Sequence, residues 1–292
     1  MSELQLTTTT TIPKGISLST RQARRLEYKF LVPITMLTNF RKVIKPYIYL
    51  DEFSESRPDK QYTVRSIYYE TRGFTCYVEK VEGFRFKKKF RIRGYNTTDP
   101  NSVVFLEIKS KNQDFISKSR APIRWNQIKS VFTGYNLNTT SLPFIPETKE
   151  AEAAGRFLYH YYRKKMMPVV LIAYEREAFY SRFDRTLRIT FDKNVRSRLY
   201  PSLDSLYVDR GMNFVMPNYF VFEVKFYGGL PQWIRSIVTK FDIQRLAVSK
   251  FAMGIDCHRV ERKFLRGVAH TVEFPEINNK LIVQNGKANS YF

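Results

Sequence analysis

The sequence predicts an α+β fold whose largely antiparallel sheet closes, or nearly closes, into a barrel with a polar, basic lumen and helices packed outside. Three observations carry this. Strand-like stretches outnumber helical ones, with no βαβ rhythm and no internal repeat. Several strand stretches alternate basic and apolar residues, which gives each one cationic face and one greasy face. The greasy faces need cover, and the helical stretches between the strands can supply it.

Taken in order, Met1 to about residue 20 contains "TTTTTIPKG" with little apolar periodicity and reads as a disordered arm. Arg24 to Val32, "RRLEYKFLV", is the first strand. Pro33 then opens a helix over "ITMLTNFRKVIKPYI", because proline suits the first helical turn. Gln61 to Glu70 is β-rich, and a short helix precedes Gly83. "FRFKKKFRIRGY", Phe84 to Tyr95, is the most charged strand. Ser102–Lys111 and Asp114–Ile123 pair as a hairpin joined near Asn112 and Gln113. "RWNQIKSVF" reads as a helix, and Pro146 to Met166 is the longest helical stretch, stopped by Pro168. "VVLIAYEREAFYS", "RTLRITFDKNV" and "YFVFEVKFYG" are strands. "PQWIRSIVTKF" and "RLAVSKFAMGIDCH" are helices closing a domain expected over residues 21–265, before a tail over 266–292.

The chain has 292 residues, 43% of them hydrophobic, enough for a large core. A formal net charge of +22 calls for a polyanionic partner. No apolar run has the length of a membrane span and no secretory h-region follows the start, so the expected setting is cytoplasmic. Cys76 and Cys257 lie far apart without a CxxC pattern, which argues against a disulfide scaffold or a zinc site. His160, His258 and His270 show no ligand spacing. No RNA-binding signature is present, and the aromatic residues fall mostly on apolar faces, so nucleic acid is not the expected partner.

In the charged strand, Arg85, Lys87, Lys89, Arg91 and Arg93 fall at every second position. Glu27 and Lys29, Glu107 with Lys109 and Lys111, and Glu223 and Lys225 likewise share faces. For any one strand a solvated polar face is the ordinary reading. Several together, each with an apolar back, point to a common interior. Cations crowded there need water and anions, because burying each unpaired costs on the order of several kcal/mol. Phosphates in line match such a lumen, since guanidinium grips phosphate oxygens bidentately and ammonium acts as a point charge. The carboxylates have two readings, as spacers between cations or as oxygen ligands for a divalent metal.

The stretches "EYKFLV", "VRSIYYE", "FRIRGYN", "FLEIKSK", "SKSRAPI", "AYEREAFY", "LRITFD", "FEVKF" and "VSKFAMG" occur in the order found in the VTC domain. The chain from about Arg24 to Cys257 thus resembles the polyphosphate polymerase domain of the vacuolar transporter chaperone, within the triphosphate tunnel metalloenzyme (CYTH-like) superfamily. The resemblance implies an eight-stranded antiparallel tunnel barrel that transfers the γ-phosphate of ATP to inorganic polyphosphate with Mn²⁺ or Mg²⁺. It implies catalytic roles for Arg91, Arg93, Arg176 and Lys250, and phosphate binding by Lys29, Lys109, Lys118, Arg188 and Ser249. Lys87 and Lys89 join these from the charged strand, and Glu223 corresponds to the metal ligand. On the residues alone, Glu223 reads as a partner of Lys225, and Ser249 as a helix cap. Glu27 and Glu107 read as spacers. The expected ligands are ATP, inorganic phosphate and polyphosphate. One departure matters: the superfamily's hydrolases carry ExExK on the first strand, and Arg25 stands where its first glutamate would be. The competing function is a tripolyphosphate or nucleoside triphosphate hydrolase of the same architecture; a non-catalytic polyanion binder ranks behind both.

Overall fold

The structure, a computed structural model, describes residues 25–258 apart from 97–98, 100, 113–114, 134–142 and 146. The arm, the tail and the expected hairpin junction at Gln113 lie outside the described residues. The elements in chain order are β1 (Arg25–Pro33), α1 (Leu37–Ile44), β2 (Ile48–Leu50), α2 (Glu52–Glu55), β3 (Tyr62–Glu70), α3 (Thr75–Val81) and β4 (Phe86–Tyr95). There follow β5 (Val103–Asn112), β6 (Phe115–Arg124), α4 (Ile128–Thr133), α5 (Lys149–Arg163), β7 (Met167–Ser181) and β8 (Arg188–Leu199). The chain closes with β9 (Asn213–Phe214), β10 (Tyr219–Tyr227), α6 (Gln232–Lys240) and α7 (Lys250–Asp256).

One ten-stranded sheet carries the fold. Its main path runs β1-β10-β8-β7-β3-β4-β5-β6, with β2 added to β7 and β9 to β8. Every pairing is antiparallel. The path ends on β1 and β6, with no ladder joining them among the described residues, so the sheet is a curled half-barrel. Part of the free edge of β1 is taken by the segment after α6. Leu246 donates its N–H to the Lys29 carbonyl, and Arg245 bridges Phe30.

Helices α1, α4, α5 and α6 cover the convex side, where two apolar clusters form. Ile67, Phe90, Ile92, Leu106 and Ile108 pack with Phe157 and Leu158 of α5. Phe30, Phe191, Phe220 and Phe222 pack with Phe40 of α1 and with Ile234 and Ile237 of α6. Helix α7 packs on the concave side against β7 and β8, and α3 meets it there through Tyr77 and Asp256. Tyr68 meets Phe251 there, and the absence of a side chain at Gly254 lets the helix approach Ile172. A Cβ at Gly254 would stand 2.1 Å from Ile172 Cδ1. Gly254→Ala is therefore expected to destabilise by about 1–3 kcal/mol, read from urea unfolding midpoints.

Several expected boundaries shift, each for a local reason. The first helix is a 3-10 turn over Ile34–Met36, then α1, then a second 3-10 turn, after which the chain enters β2. The expected helix over Arg245–His258 begins only at Lys250. Before it the chain pairs with β1, and the Ser249 hydroxyl accepts from Ala252 N as the cap. Strand β8 runs on to Leu199 through an irregularity in the β7–β8 register, where Asn194 takes a positive φ of 50°. The elements β2, β9 and α2 are too short to leave a periodic trace.

Candidate functional site: a cationic bore

Strand register places the basic residues on one face. Lys29 stands opposite Glu223, Lys225 opposite Arg188, and Arg176 opposite Asp192. On the other half, Arg91 stands opposite Tyr68 and Glu107, Arg93 opposite Ser66, Lys89 opposite Lys109, Lys109 opposite Lys118, and Lys87 opposite Lys111. The enclosure is shown by one contact. Lys109 Nζ of β5 lies 3.5 Å from Glu27 Oε2 of β1, although β10, β8, β7, β3 and β4 separate those strands along the sheet. The sheet therefore curls until its two halves meet by side chains across a bore. Arg91, Arg93, Arg176, Lys29, Lys87, Lys89, Lys109, Lys118, Arg188 and Glu223 share that concave face, and α7 brings Ser249 and Lys250 to it.

Buried carboxylates hold the cations in place. Glu107 binds Arg91 at 2.6 Å, Lys118 at 2.7 Å and Arg120 at 3.2 Å, with Arg93 at 3.9 Å. Arg91 also donates to the Tyr68 hydroxyl at 2.9 Å, and Arg93 to Ser66 Oγ at 3.2 Å. Asp192 takes Arg176 through two nitrogens, at 2.6 and 2.8 Å, and Lys250 at 2.5 Å. Glu223 meets Lys225 and, at 3.7 Å, Lys29. Glu27 meets Lys29 at 2.9 Å. Arg188 is held by Asp51, the cap of α2, at 2.8 Å. Lys89 donates to Ser249 Oγ at 2.9 Å and lies over the Phe251 ring.

The protonation states follow from this crowding. Burial alone would raise the Glu107 carboxyl, but Arg91, Arg93 and Lys118 outweigh it and hold it well below the usual carboxylate range. Glu223 is likewise held low by Lys225, Lys29, Arg176 and Lys250 against its burial. Glu27 falls to about 2, because Lys29, Lys109 and Lys225 overcome burial and the neighbouring Glu223 charge. The lysines with weaker compensation move the other way. Burial lowers Lys89 well below the ordinary lysine value, and the Lys29, Lys109, Lys80 and Arg91 charges add to it. Lys118 falls to about 8, burial exceeding the pull of Glu107. The Tyr68 phenol is lowered despite burial by Arg91 and Arg93. Cations crowd this face, and an anion entering it would relieve their repulsion.

Sequence reasoning placed the cations but missed several partners. Asp192 lies on the same face as Arg188 two alternations on, so strand parity could have found it. Asp51 and Tyr68 come from distant elements, and nothing local marks them. Not every charge faces inward: Glu177 pairs with Arg41 and Lys193 on the convex side. Among the described residues no group of three or more His, Cys, Asp or Glu side chains is placed to hold a metal by itself. Glu223 nonetheless offers carboxylate oxygens within the fields of Glu27 and Asp192. One or two carboxylates, completed by phosphate oxygens and water, is a donor set that suits Mg²⁺-like ions. Among the described residues no helix is long and apolar enough to cross a membrane.

Among solved structures, the chain is similar to a putative adenylyl cyclase from Hippeastrum, described as having a dominant triphosphatase activity. The match has 11% identity and a TM-score of 0.45, covering 80% of this chain and 96% of the other. No curated protein matches the chain. The family model of the VTC domain matches residues 24–259, which spans the whole described region. The chain belongs to the VTC domain family.

Proposed function

We propose that this VTC domain is a polyphosphate polymerase, transferring the γ-phosphate of ATP to a growing polyphosphate chain inside the bore. The observation that supports it is the convergence of Arg and Lys from both halves of the curled sheet, joined across the bore by Lys109 and Glu27. Phosphoryl transfer asks a protein mainly for alignment and charge neutralisation. Arg91, Arg93, Arg176 and Lys250 grip the phosphates around the transferred group, and Lys29, Lys87, Lys89, Lys109, Lys118, Arg188 and Ser249 extend the grip to either side. Glu107 and Asp192 preset the guanidinium planes, so phosphate oxygens meet donors already oriented. The nucleophile is the terminal phosphate of polyphosphate or inorganic phosphate. It is already anionic and needs no strong base, only suppression of its repulsion from ATP. Glu223 is the residue that would hold Mn²⁺ or Mg²⁺, and the ion, when bound, adds neutralisation of the phosphate oxygens.

The competing reading is a hydrolase of the same fold. The position of Arg25 favours transfer: on β1 it lies over the Tyr227 ring, leaving Glu27 as the only carboxylate of that strand. A cytoplasmic setting agrees with the ATP requirement. Incubation of the purified protein with ATP and Mn²⁺, followed by gel sizing, tests the proposal. A ladder of lengthening polyphosphate is expected; release of free phosphate without polymer would assign the protein to hydrolysis.

A further inference from the structure

The two ends of the bore differ. Where β4 and β5 begin and end, Lys87 stands directly opposite Lys111. Eight residues along β4, about 26 Å away at strand rise, the same concave face carries Tyr95. Aromatic rings follow one another around the wall at that end. Phe53 of α2 meets Tyr62 at 6.5 Å between centroids, Tyr62 meets Tyr95 at 6.0 Å, and Tyr95 meets Phe105 at 6.1 Å. Register fixes three of them to the bore face: Tyr62 is opposite Arg176, Phe105 is opposite Arg93, and Tyr95 is two residues beyond Arg93.

Tyr62 is buried and serves as an ordinary packing ring. Tyr95 and Phe105 are only half-buried, and Phe53 is 72% exposed at the rim. The Phe105 face already holds a planar group: the Arg120 guanidinium carbon lies 3.3 Å from the ring centroid. The Arg120 side chain is 37% exposed, so it can yield that face or cover a second layer. A face that stacks a guanidinium also stacks a heterocyclic base.

We infer that Tyr95 and Phe105, with Phe53 at the rim, form a nucleobase subsite that stacks the base of the triphosphate donor. The inference rests on the proposed reading of the bore and deepens it by giving the donor a direction. The base sits at the aromatic mouth and its triphosphate runs inward past Arg93 and Arg91. The lysine mouth, with Lys87 and Lys111, receives the polymer. The spacing agrees, since Arg93 to Tyr95 covers about 7 Å of strand, the reach of a ribose between base and α-phosphate. A bore that recognised phosphates alone would have no use for half-open rings at one end and paired lysines at the other.

The test compares ATP with inorganic tripolyphosphate, which shares the phosphates and lacks the base. Calorimetric affinities are measured for the wild-type protein, Phe105→Leu, which keeps apolar volume without a ring face, and Phe53→Ala, whose exposure keeps folding out of question. ATP is expected to bind Phe105→Leu about tenfold more weakly, with tripolyphosphate affinity unchanged, and Phe53→Ala to show a smaller loss in the same sense. The fluorescence of etheno-ATP is expected to be quenched on binding to wild type and less so on Phe105→Leu. Equal weakening of ATP and tripolyphosphate, or no change in either, would overturn the subsite. Failure of the wild-type protein to bind tripolyphosphate would instead remove the phosphate-binding bore itself.

Discussion

Arg91→Ala is expected to reduce polyphosphate synthesis about 10²–10³-fold while leaving the barrel folded. Arg91 lies where the two halves of the bore communicate. It is bound by Glu107 and Tyr68, and it shares the field of Tyr174, over which Arg176 and Lys250 also lie. Its removal takes away a guanidinium that faces the bore, but it does not strand Glu107, which keeps Lys118, Arg120 and Arg93. The effect therefore belongs to turnover and not to stability. Arg156→Ala is the control, since that side chain is exposed on α5 and pairs with Glu152 outside the bore. Chain growth measured for both variants decides the matter: near-wild-type synthesis by Arg91→Ala would remove the arginine from the mechanism.

The second large effect concerns the carboxylate and not the cations. Glu107→Gln keeps the shape of the side chain but leaves Arg91, Arg93, Lys118 and Arg120 facing one another without a counter-charge. Removing one partner of a buried ion pair costs about 3–5 kcal/mol, and that loss is expected in urea unfolding at neutral pH. Added tripolyphosphate should restore part of it, about 2.7 kcal/mol at a hundred times its Kd. The pH dependence has a definite sign. The Glu107 carboxyl is held below its ordinary value of 4.5, so its contribution is complete above that value and is lost as the pH falls through the folded-state value. The wild-type protein should therefore lose stability on acidification more steeply than Glu107→Gln. Equal stability of the two proteins at neutral pH would show that Glu107 does not organise the cluster.

Strand parity was legible in the chain because its period of two is local. The face shared by Glu27 and Lys29, by Glu107 and Lys109, and by Glu223 and Lys225 needed no knowledge of neighbours. The order of strands was not legible in the same way. Nothing near Lys109 says that its ammonium will reach Glu27 from across the bore, and nothing near Asp192 says that Lys250 will arrive from a helix far along the chain. The stretch around Ser249 misled for a related reason. "RLAVSKFAMG" is apolar enough to read as one helix, but the pairing of Arg245 and Leu246 with β1 competes for its first residues. The aromatic rings at the far mouth looked like core from composition, and only their partial exposure separates Tyr95 and Phe105 from Tyr62.

The pairing of β1 with β10 has a consequence for the birth of the protein. The first strand finds its ladder partner near the end of the described chain, Lys29 against Glu223, and α7 enters the bore later still. Contacts of such long separation form slowly, because the loop between them must close first. A nascent chain on the ribosome consequently holds its basic residues on unclosed sheet for most of its synthesis. The cationic chamber comes into being only after translation has passed α7, and a chain released before β10 would carry most of the charges and no chamber.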